Sequence, residues 1–320
     1  MSLSLQPQGG AGLLRRQPKR IGWASKRPTS DEVAMQIETG PLAPGLYLVA
    51  TPIGAARDIT LRALDILASA DVIAAEDTRT ARHLMQIHGV ALGGRPVVAY
   101  HDHSGPAARA RLIGDIAAGR AVAYVSEAGT PLVADPGYQL VRAAVDEGHK
   151  VIAAPGPSAL LAALSVSGLP TDRVFFAGFP PVQASARAAQ WQGLKGLDAT
   201  IVLYESPKRI NRLLAELRDV WGEDRQAAVC RELTKRFEEV SRGALGALAA
   251  DFDSRQVKGE IVLVIDRGGT ETADDATLEA ALRAALDRLS VKDAVAEVSA
   301  ALNLPRRQVY QAALALEDGK

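Results

Sequence analysis

Residues 125–138 read VSEAGTPLVADPGY, and this stretch concentrates residue types that build a binding loop out of main chain. Ala128, Gly129 and Thr130 leave backbone groups uncovered, while Pro131, Pro136 and Gly137 hold the path of the chain. Two further loops share the character. Thr51-Pro52-Ile53-Gly54 follows an apolar run at 46–50, and Pro155-Gly156-Pro157-Ser158-Ala159 follows another at 151–154, where the amides of a helix start could meet polar ligand atoms. Such loops suit one ligand held mainly by backbone donors and acceptors. Neither a GxxxxGK[ST] phosphate loop nor a GxGxxG after a strand occurs, so nucleoside-triphosphate hydrolysis and dinucleotide chemistry are disfavoured.

Other clusters carry reactive side chains. His101-Asp102-His103-Ser104 places two histidines on one side of an extended segment, yet no further ligand is grouped with them, and a metal is not expected. Glu76-Asp77-Thr78-Arg79 could bind a cation or contact RNA through Arg79, or Asp77 or Thr78 could simply cap the helix that follows. Arg231-Glu232 and Lys235-Arg236 read either as a solvated charge cluster or as a strand-end site.

The elements that must position these groups alternate regularly. Strand-length apolar runs at 46–50, 72–75, 97–100, 121–125 and 151–154 are separated by amphipathic helical segments such as 60–70 and 139–147, the pattern of an α/β domain with mainly parallel pairing. In such a sheet the binding crevice lies past the carboxyl ends of the strands, where all three loops fall. The turn-rich GLPTD at 168–172 marks a boundary. A second α/β set follows, with strands at 174–177, 200–204, 227–230, 238–242 and 261–265 and a helix at 208–220; their directions stay open. We therefore expect a basic, disordered tail at 1–44, α/β domains at 45–168 and 169–267, a linker at 268–277 and a helical module at 278–320. In that module Ser290 is placed to cap a helix over 291–302, and Asn303-Leu304-Pro305 breaks it before another begins near Arg306, as in a helix-turn-helix.

Composition agrees with a soluble enzyme: 48% of residues are hydrophobic and 23% charged, enough to build cores over 320 residues. The formal net charge of zero means that nucleic acid would have to be held by local basic patches. One such patch is the tail, with Arg15, Arg16, Lys19, Arg20, Lys26 and Arg27 before the first acidic residue, Asp31. Cys230 is the only cysteine; it excludes an intramolecular disulfide and reads as a buried small hydrophobe, which together with the lack of a membrane-length apolar run points to the cytoplasm.

Taken in order, TPIGAARDIT, AAEDTR, HDHS, SEAGTPLVADPGY, APGPSA, LYESPKR and RELTK resemble the tetrapyrrole methylase superfamily, and within it the ribosomal RNA small subunit methyltransferase I family. The resemblance runs from about residue 45 to 266, and the helical tail is similar to that family's C-terminal helix-turn-helix. It implies a two-domain fold that binds S-adenosylmethionine between its domains, a homodimer, and 2′-O-methylation of a decoding-site cytidine in 16S rRNA of the small ribosomal subunit. It also implies a cofactor set of Ala50, Thr51, Pro52, Gly54, Ser126, Ala128, Gly129, Thr130, Val133, Ser158, Ala159, Leu203 and Tyr204.

Methyl transfer to a ribose hydroxyl needs alignment first and a base second. Glu127, Asp102, Glu205 and Glu232 are candidate bases, unranked, as is His101; Lys235 and Lys208 could steady developing charge or hold phosphate. Arg79, His101, Lys208, Arg231, Arg306 and Arg307 are candidate RNA contacts. Two positions depart from the family pattern: Glu127 stands where aspartate is usual, and Ala55-Ala56 replace Asn-Leu. The longer Glu127 side chain carries its charge further from the backbone, which weakens the case for direct catalysis there. Alternatives are the same fold acting on a tetrapyrrole or a protein side chain, and a non-catalytic RNA-binding assembly factor.

Overall fold

The computed structural model describes residues 37–101, 104–268, 275–302, 304 and 306–318. The basic tail up to residue 36, Asp102 and His103 lie outside them. Strands β1 (Gly45–Val49), β2 (Val72–Ala75), β3 (Val97–Ala99), β4 (Ala121–Val125) and β5 (Val151–Ala154) form one wholly parallel sheet in the order β3-β2-β4-β1-β5. Alternation along the strands explains its two faces. Tyr47, Val49, Ile73, Ala75, Ala123 and Val125 turn toward α1 (Leu61–Ser69) and α2 (Thr78–Ile87), whereas Leu46, Val72, Ala74, Val122 and Tyr124 turn toward α3 (Gly105–Ala117) and α4 (Tyr138–Asp146).

Because β1 leads into a helix on one face and β4 into a helix on the other, their adjacent carboxyl ends open a crevice. Local chemistry sets the helix starts around it. Thr60 accepts the Ala63 amide at 3.1 Å, and the Asp77 carboxylate accepts the Arg79 amide at 2.7 Å, so the cap at 76–79 is Asp77. Residues 37–44, assigned to the tail by sequence, lie along α1 instead: the Glu38 amide donates to Asp65 at 2.8 Å, and Ile37 and Leu42 pack on the sheet's core.

The second sheet contains β6 (Val174–Gly178), β7 (Thr200–Glu205), β8 (Gln226–Arg231), β9 (Glu239–Ala244) and β10 (Ile261–Ile265) in the order β6-β7-β10-β8-β9. Only β6 and β7 are parallel; β10 runs antiparallel to β7 and β8, and β9 antiparallel to β8. One face packs on α6 (Ala184–Leu194), α7 (Ile210–Trp221) and α8 (Leu245–Asp253). The other face receives α5 (Ala159–Ser167), whose Ala163 and Leu164 sit among Val202, Ala228, Cys230, Val262 and Val264. Helix α5 thus leaves the first sheet and is buried against the second. Its sequence, ALLAALSVS, is apolar on nearly every face, and the face turned away from the second sheet leaves Leu161 60% exposed.

Helices α9 (Asp275–Leu286), α10 (Val291–Leu302) and α11 (Arg306–Asp318) close around their own core of Leu282, Ala294, Val298, Val309 and Ala313. Ser290 caps α10 as expected, accepting the Asp293 amide at 3.3 Å and donating to its carboxylate at 2.7 Å. Of the break at 303–305, Asn303 and Pro305 lie outside the described residues, and Leu304 is buried in this core. No helix among the described residues is long and apolar enough to cross a membrane.

One position ties this frame to the crevice. Gly137, just before α4, has φ +117°, and a Cβ there would stand 2.6 Å from the Tyr124 ring. Gly137→Ala is expected to lower stability by about 2–3 kcal/mol through backbone strain and overpacking, measured by urea unfolding.

Candidate active-site cleft

The three strand-end loops meet and bond to one another. Thr51 and Gly129 exchange two backbone hydrogen bonds, at 2.9 and 3.0 Å. The Ser126 hydroxyl donates to the Gly129 carbonyl at 3.0 Å, and the Thr130 hydroxyl donates to the Pro157 carbonyl at 2.8 Å. Close approach requires the small residues: a Cβ on Gly156 would stand 2.9 Å from that of Ala50. The polar groups of the loops are thereby satisfied among themselves, while Ala128, Gly129 and Thr130 remain at the surface of a cleft of about 350 Å³.

The opposite wall comes from the second sheet. Because β10 is antiparallel to β7 and β8, its first residue, Ile261, pairs with Glu205 and Arg231, the last residues of those strands. Gly259, Glu260, Ile261 and Val262 therefore line the cleft alongside Tyr204, Glu205, Cys230 and Leu233. The Tyr204 hydroxyl accepts the Leu160 amide at 3.1 Å, which fastens the start of α5 to β7, and Phe179 stands edge-on to its ring at a centroid distance of 5.6 Å. On the other side of the loop, the Ala55 amide donates to the Thr234 hydroxyl at 3.1 Å.

Strain marks both walls. Among the described residues, the four non-glycine positions with positive φ are Leu132 (71°), Ala134 (59°), Glu232 (51°) and Thr234 (64°), two in each facing loop. Conformations that cost about 1–3 kcal/mol persist only where surrounding contacts hold them, and here they fix the loops that shape the cleft.

Of the residues assigned to a ligand by resemblance, Ala128, Gly129, Thr130, Val133, Ser158, Ala159 and Tyr204 line the cleft. The others act from behind it or elsewhere. Ala50, Thr51 and Ser126 are buried under the lining, which is supplied from the first loop by Ile53, and Pro52 is not part of it. Gly54 faces the second domain: a Cβ there would stand 2.5 Å from the Lys235 side chain and 2.6 Å from the Thr234 hydroxyl. Leu203 points into the core beneath α7, on the far face of β7, because strand alternation places Tyr204 toward the cleft.

Several reactive candidates are occupied. Glu205 lines the cleft but is buried, with Oε1 accepting the Ser206 amide and the Arg209 guanidinium, each at 2.7 Å. Glu232 Oε1 accepts the Glu260 amide and the Lys235 ammonium, each at 2.9 Å, and its carboxyl packs where a side chain on Gly259 would be. The Glu260 amide first, and then Lys235, hold the Glu232 carboxyl below the usual carboxylate range. Lys235 also donates to Glu260 at 2.9 Å, so these three groups form a closed cluster, and neither Glu232 nor Lys235 is poised for proton transfer. Glu127 is exposed and outside the lining.

Arg231 is engaged by Glu239 at 2.9 Å, and Arg79, at the surface, by Asp77 at 2.8 Å. His101 lies at the end of β3, outside the lining. Lys208, Arg306 and Arg307 are exposed. No group of three or more His, Cys, Asp or Glu able to hold a metal occurs among the described residues.

Asp135 went unassigned in the sequence reading. It lies in the ADPG half of the loop and lines the cleft, and its one available signal was a carboxylate between a small residue and a proline inside a ligand loop. Burial, reinforced by Glu76 and by Glu127 and opposed by the nearby Ser126 hydroxyl, pushes its carboxyl up to about 6. Burial also pushes the Cys230 thiol up to about 11, so it is no nucleophile near neutrality.

The raised Asp135 value has a consequence for stability. Relative to an ordinary value of 3.8, the folded state retains a proton that the unfolded chain has released, so the contribution is present below about 3.8 and lost as pH rises through about 6. Asp135→Asn is expected to raise stability at pH 7.5 by about 1 kcal/mol, a figure reduced for solvent screening of this half-buried group, and to flatten the dependence between pH 4 and 6. Urea unfolding across that range measures both.

The chain matches the family model Tetrapyrrole (Corrin/Porphyrin) Methylases over residues 45–249, and the RsmI C-terminal HTH domain over residues 272–317. It is 42% identical over 284 residues to Ribosomal RNA small subunit methyltransferase I of Mesorhizobium japonicum, covering 88% of this chain and 96% of that one. Identity to the protein of the same name is 41% over 277 residues in Synechocystis, with 85% and 98% of the two chains covered. Among solved structures, the methyltransferase CobJ superposes with a TM-score of 0.54 at 18% identity over 70% of this chain and 94% of that one. A conserved hypothetical protein from Aeropyrum pernix superposes with a TM-score of 0.54 at 20% identity over 87% and 98%. At those identities the structures speak for the fold alone. Motifs, sheet order, C-terminal helices and relatives agree, and the chain belongs to the ribosomal RNA small subunit methyltransferase I family of tetrapyrrole methylases.

Proposed function

We propose that this protein uses S-adenosylmethionine to methylate the 2′-hydroxyl of a decoding-site cytidine in 16S rRNA of the small ribosomal subunit. The observation that carries the reading is similarity over 85–88% of the chain to proteins named rRNA methyltransferases, together with the C-terminal helical domain. The cleft fits the methyl donor. Its floor of Ile53, Val133, Leu233, Ile261 and Val262 suits an apolar ligand body, Ala128, Gly129 and Ala159 admit close approach of backbone, and Asp135 sets in the lining a carboxylate that favours a sulfonium.

Ala128, Gly129, Thr130, Val133, Ser158, Ala159 and Tyr204 hold the cofactor in this reading, and Ala50, Thr51, Ser126 and Leu203 keep those residues in place. When bound, the sulfonium supplies an already activated methyl group, which leaves alignment of the attacking oxygen to the protein. Exposed Lys208, Arg306 and Arg307, with the basic tail, supply local phosphate contacts that the neutral net charge requires.

Incubation with methyl-labelled S-adenosylmethionine is expected to place label on one ribose of assembled small subunits, located by nuclease mapping. Absence of label on subunits, free rRNA and tRNA would refute the reading. Removal of residues 275–320 is expected to abolish transfer to subunits while leaving donor affinity, measured by calorimetry, within about threefold.

A homodimer belongs to the same proposal. Strand β6 is an edge of the second sheet, and Val174 on it and Leu161 of α5 are 40% and 60% exposed around an apolar groove formed with Leu164 and Phe176. Such an edge invites a second copy of the chain. Val174→Glu is expected to convert dimer to monomer in sedimentation equilibrium; an unchanged mass would place the interface elsewhere.

A further inference from the structure

Five titratable side chains line the cleft among the described residues: Asp135, Tyr204, Glu205, Cys230 and Glu260. Four are committed. Tyr204 is held as a neutral phenol by burial and receives the Leu160 amide, Cys230 is a buried neutral thiol, Glu205 is bonded to Ser206 and Arg209, and Glu260 is paired with Lys235. Of the three carboxylates, Asp135 is the one with no cationic partner among the described residues. Its neighbours in charge are the carboxylates of Glu76 and Glu127, with the Ser126 hydroxyl beside it and the Tyr204 phenol across the cleft.

The backbone holds Asp135 where it is. Leu132 and Ala134, upstream, have φ of 71° and 59°, Pro136 restricts the backbone of Asp135 before it, and Gly137 is wedged against the Tyr124 ring. A carboxylate without a cation, among other carboxylates and on a strained support, destabilises the fold, and such cost is kept where the group is used.

We propose that Asp135 is the catalytic base that accepts the proton of the ribose 2′-hydroxyl. The proposal rests on the ribose-methylation reading above. As the oxygen lone pair forms the O–CH3 bond, the S–CH3 bond breaks with its electron pair passing to sulfur, and the hydroxyl proton passes to the Asp135 carboxylate; charge balances, with sulfonium and carboxylate becoming thioether and carboxylic acid. A base with a value near 6 is ionised at neutral pH yet far more basic than an ordinary aspartate, which suits late proton transfer.

The test uses the full chain, wild type and Asp135→Asn, with assembled small subunits lacking the modification. Single-turnover methyl transfer by the wild type is expected to fall on an acidic limb near pH 6, and Asp135→Asn to lose on the order of 100-fold or more in rate together with that limb. Asp135→Glu is expected to restore part of the rate and a limb. Affinity for S-adenosylhomocysteine, by calorimetry, is expected to stay within about threefold in both variants. In ligand-free protein labelled with 13C at aspartate carboxyls, one resonance is expected to titrate near pH 6 and to vanish in Asp135→Asn. A variant that retains wild-type rate or the limb, loses product affinity alone, or leaves the titrating resonance in place overturns the assignment of the base. A wild-type enzyme that transfers no methyl to ribose overturns the functional reading instead.

Discussion

The double hydrogen bond between Thr51 and Gly129 is the constraint from which the rest of the cleft follows. Strands β1 and β4 are neighbours whose chains leave on opposite faces of the sheet, so their carboxyl ends would naturally diverge. Two backbone bonds across the gap pin them together at a spacing only backbone can bridge, and they satisfy donors and acceptors that would otherwise compete for a ligand. Once Gly129 is fixed, its carbonyl receives Ser126 and the next residue, Thr130, reaches Pro157. The third loop is thus attached to the other two.

Helix α5 extends the same logic to the second domain. It starts at the third loop, gives its Leu160 amide to Tyr204, and buries Ala163 and Leu164 in the second sheet. The two walls are accordingly joined by a packed helix and by polar contacts such as Ala55 with Thr234, so neither wall can shift without disturbing a buried core. The Glu232–Lys235–Glu260 cluster has a complementary part on the far wall. It closes a loop containing two residues at positive φ, and Gly259 is the space into which the Glu232 carboxyl fits.

Most of the first sheet was legible in sequence because its central strands β2, β4 and β1 are buried along nearly their whole length and β1 and β4 end in loops of unusual composition, so that 46–50 and 121–125 differ from the observed strands by one residue or none. The second sheet was harder. Its strand positions could be read from apolar runs, but antiparallel pairing of β10 depends on contacts thirty or more residues apart, and it is this pairing that brings Gly259 to Val262 into the cleft. A rule that looks for ligands only after strands passes over a strand that begins at the site. The reactive candidates could not be told apart in sequence for a related reason: Glu205 and Glu232 have the residue type and location of a base, but the Arg209, Lys235 and Glu260 amide groups bonded to them are apparent only in three dimensions.

Asp135 shows the converse. Within SEAGTPLVADPGY, Glu127 is the more conspicuous acid, standing next to the small residues, yet the chain turns it outward and turns Asp135 inward. What separates the two is the sign of the backbone angle at Leu132 and Ala134, a property that neither side chain advertises and that the Thr51–Gly129 bridge upstream and the Gly137–Tyr124 contact downstream jointly impose. The acid that matters is selected by main-chain geometry, so substitutions at Ala134 that relieve the strain should affect the cleft as strongly as substitutions of its charged residues. A glycine at that position removes the steric cost of φ 59° and adds freedom to the unfolded chain, and the balance between those effects decides how firmly the carboxylate is aimed.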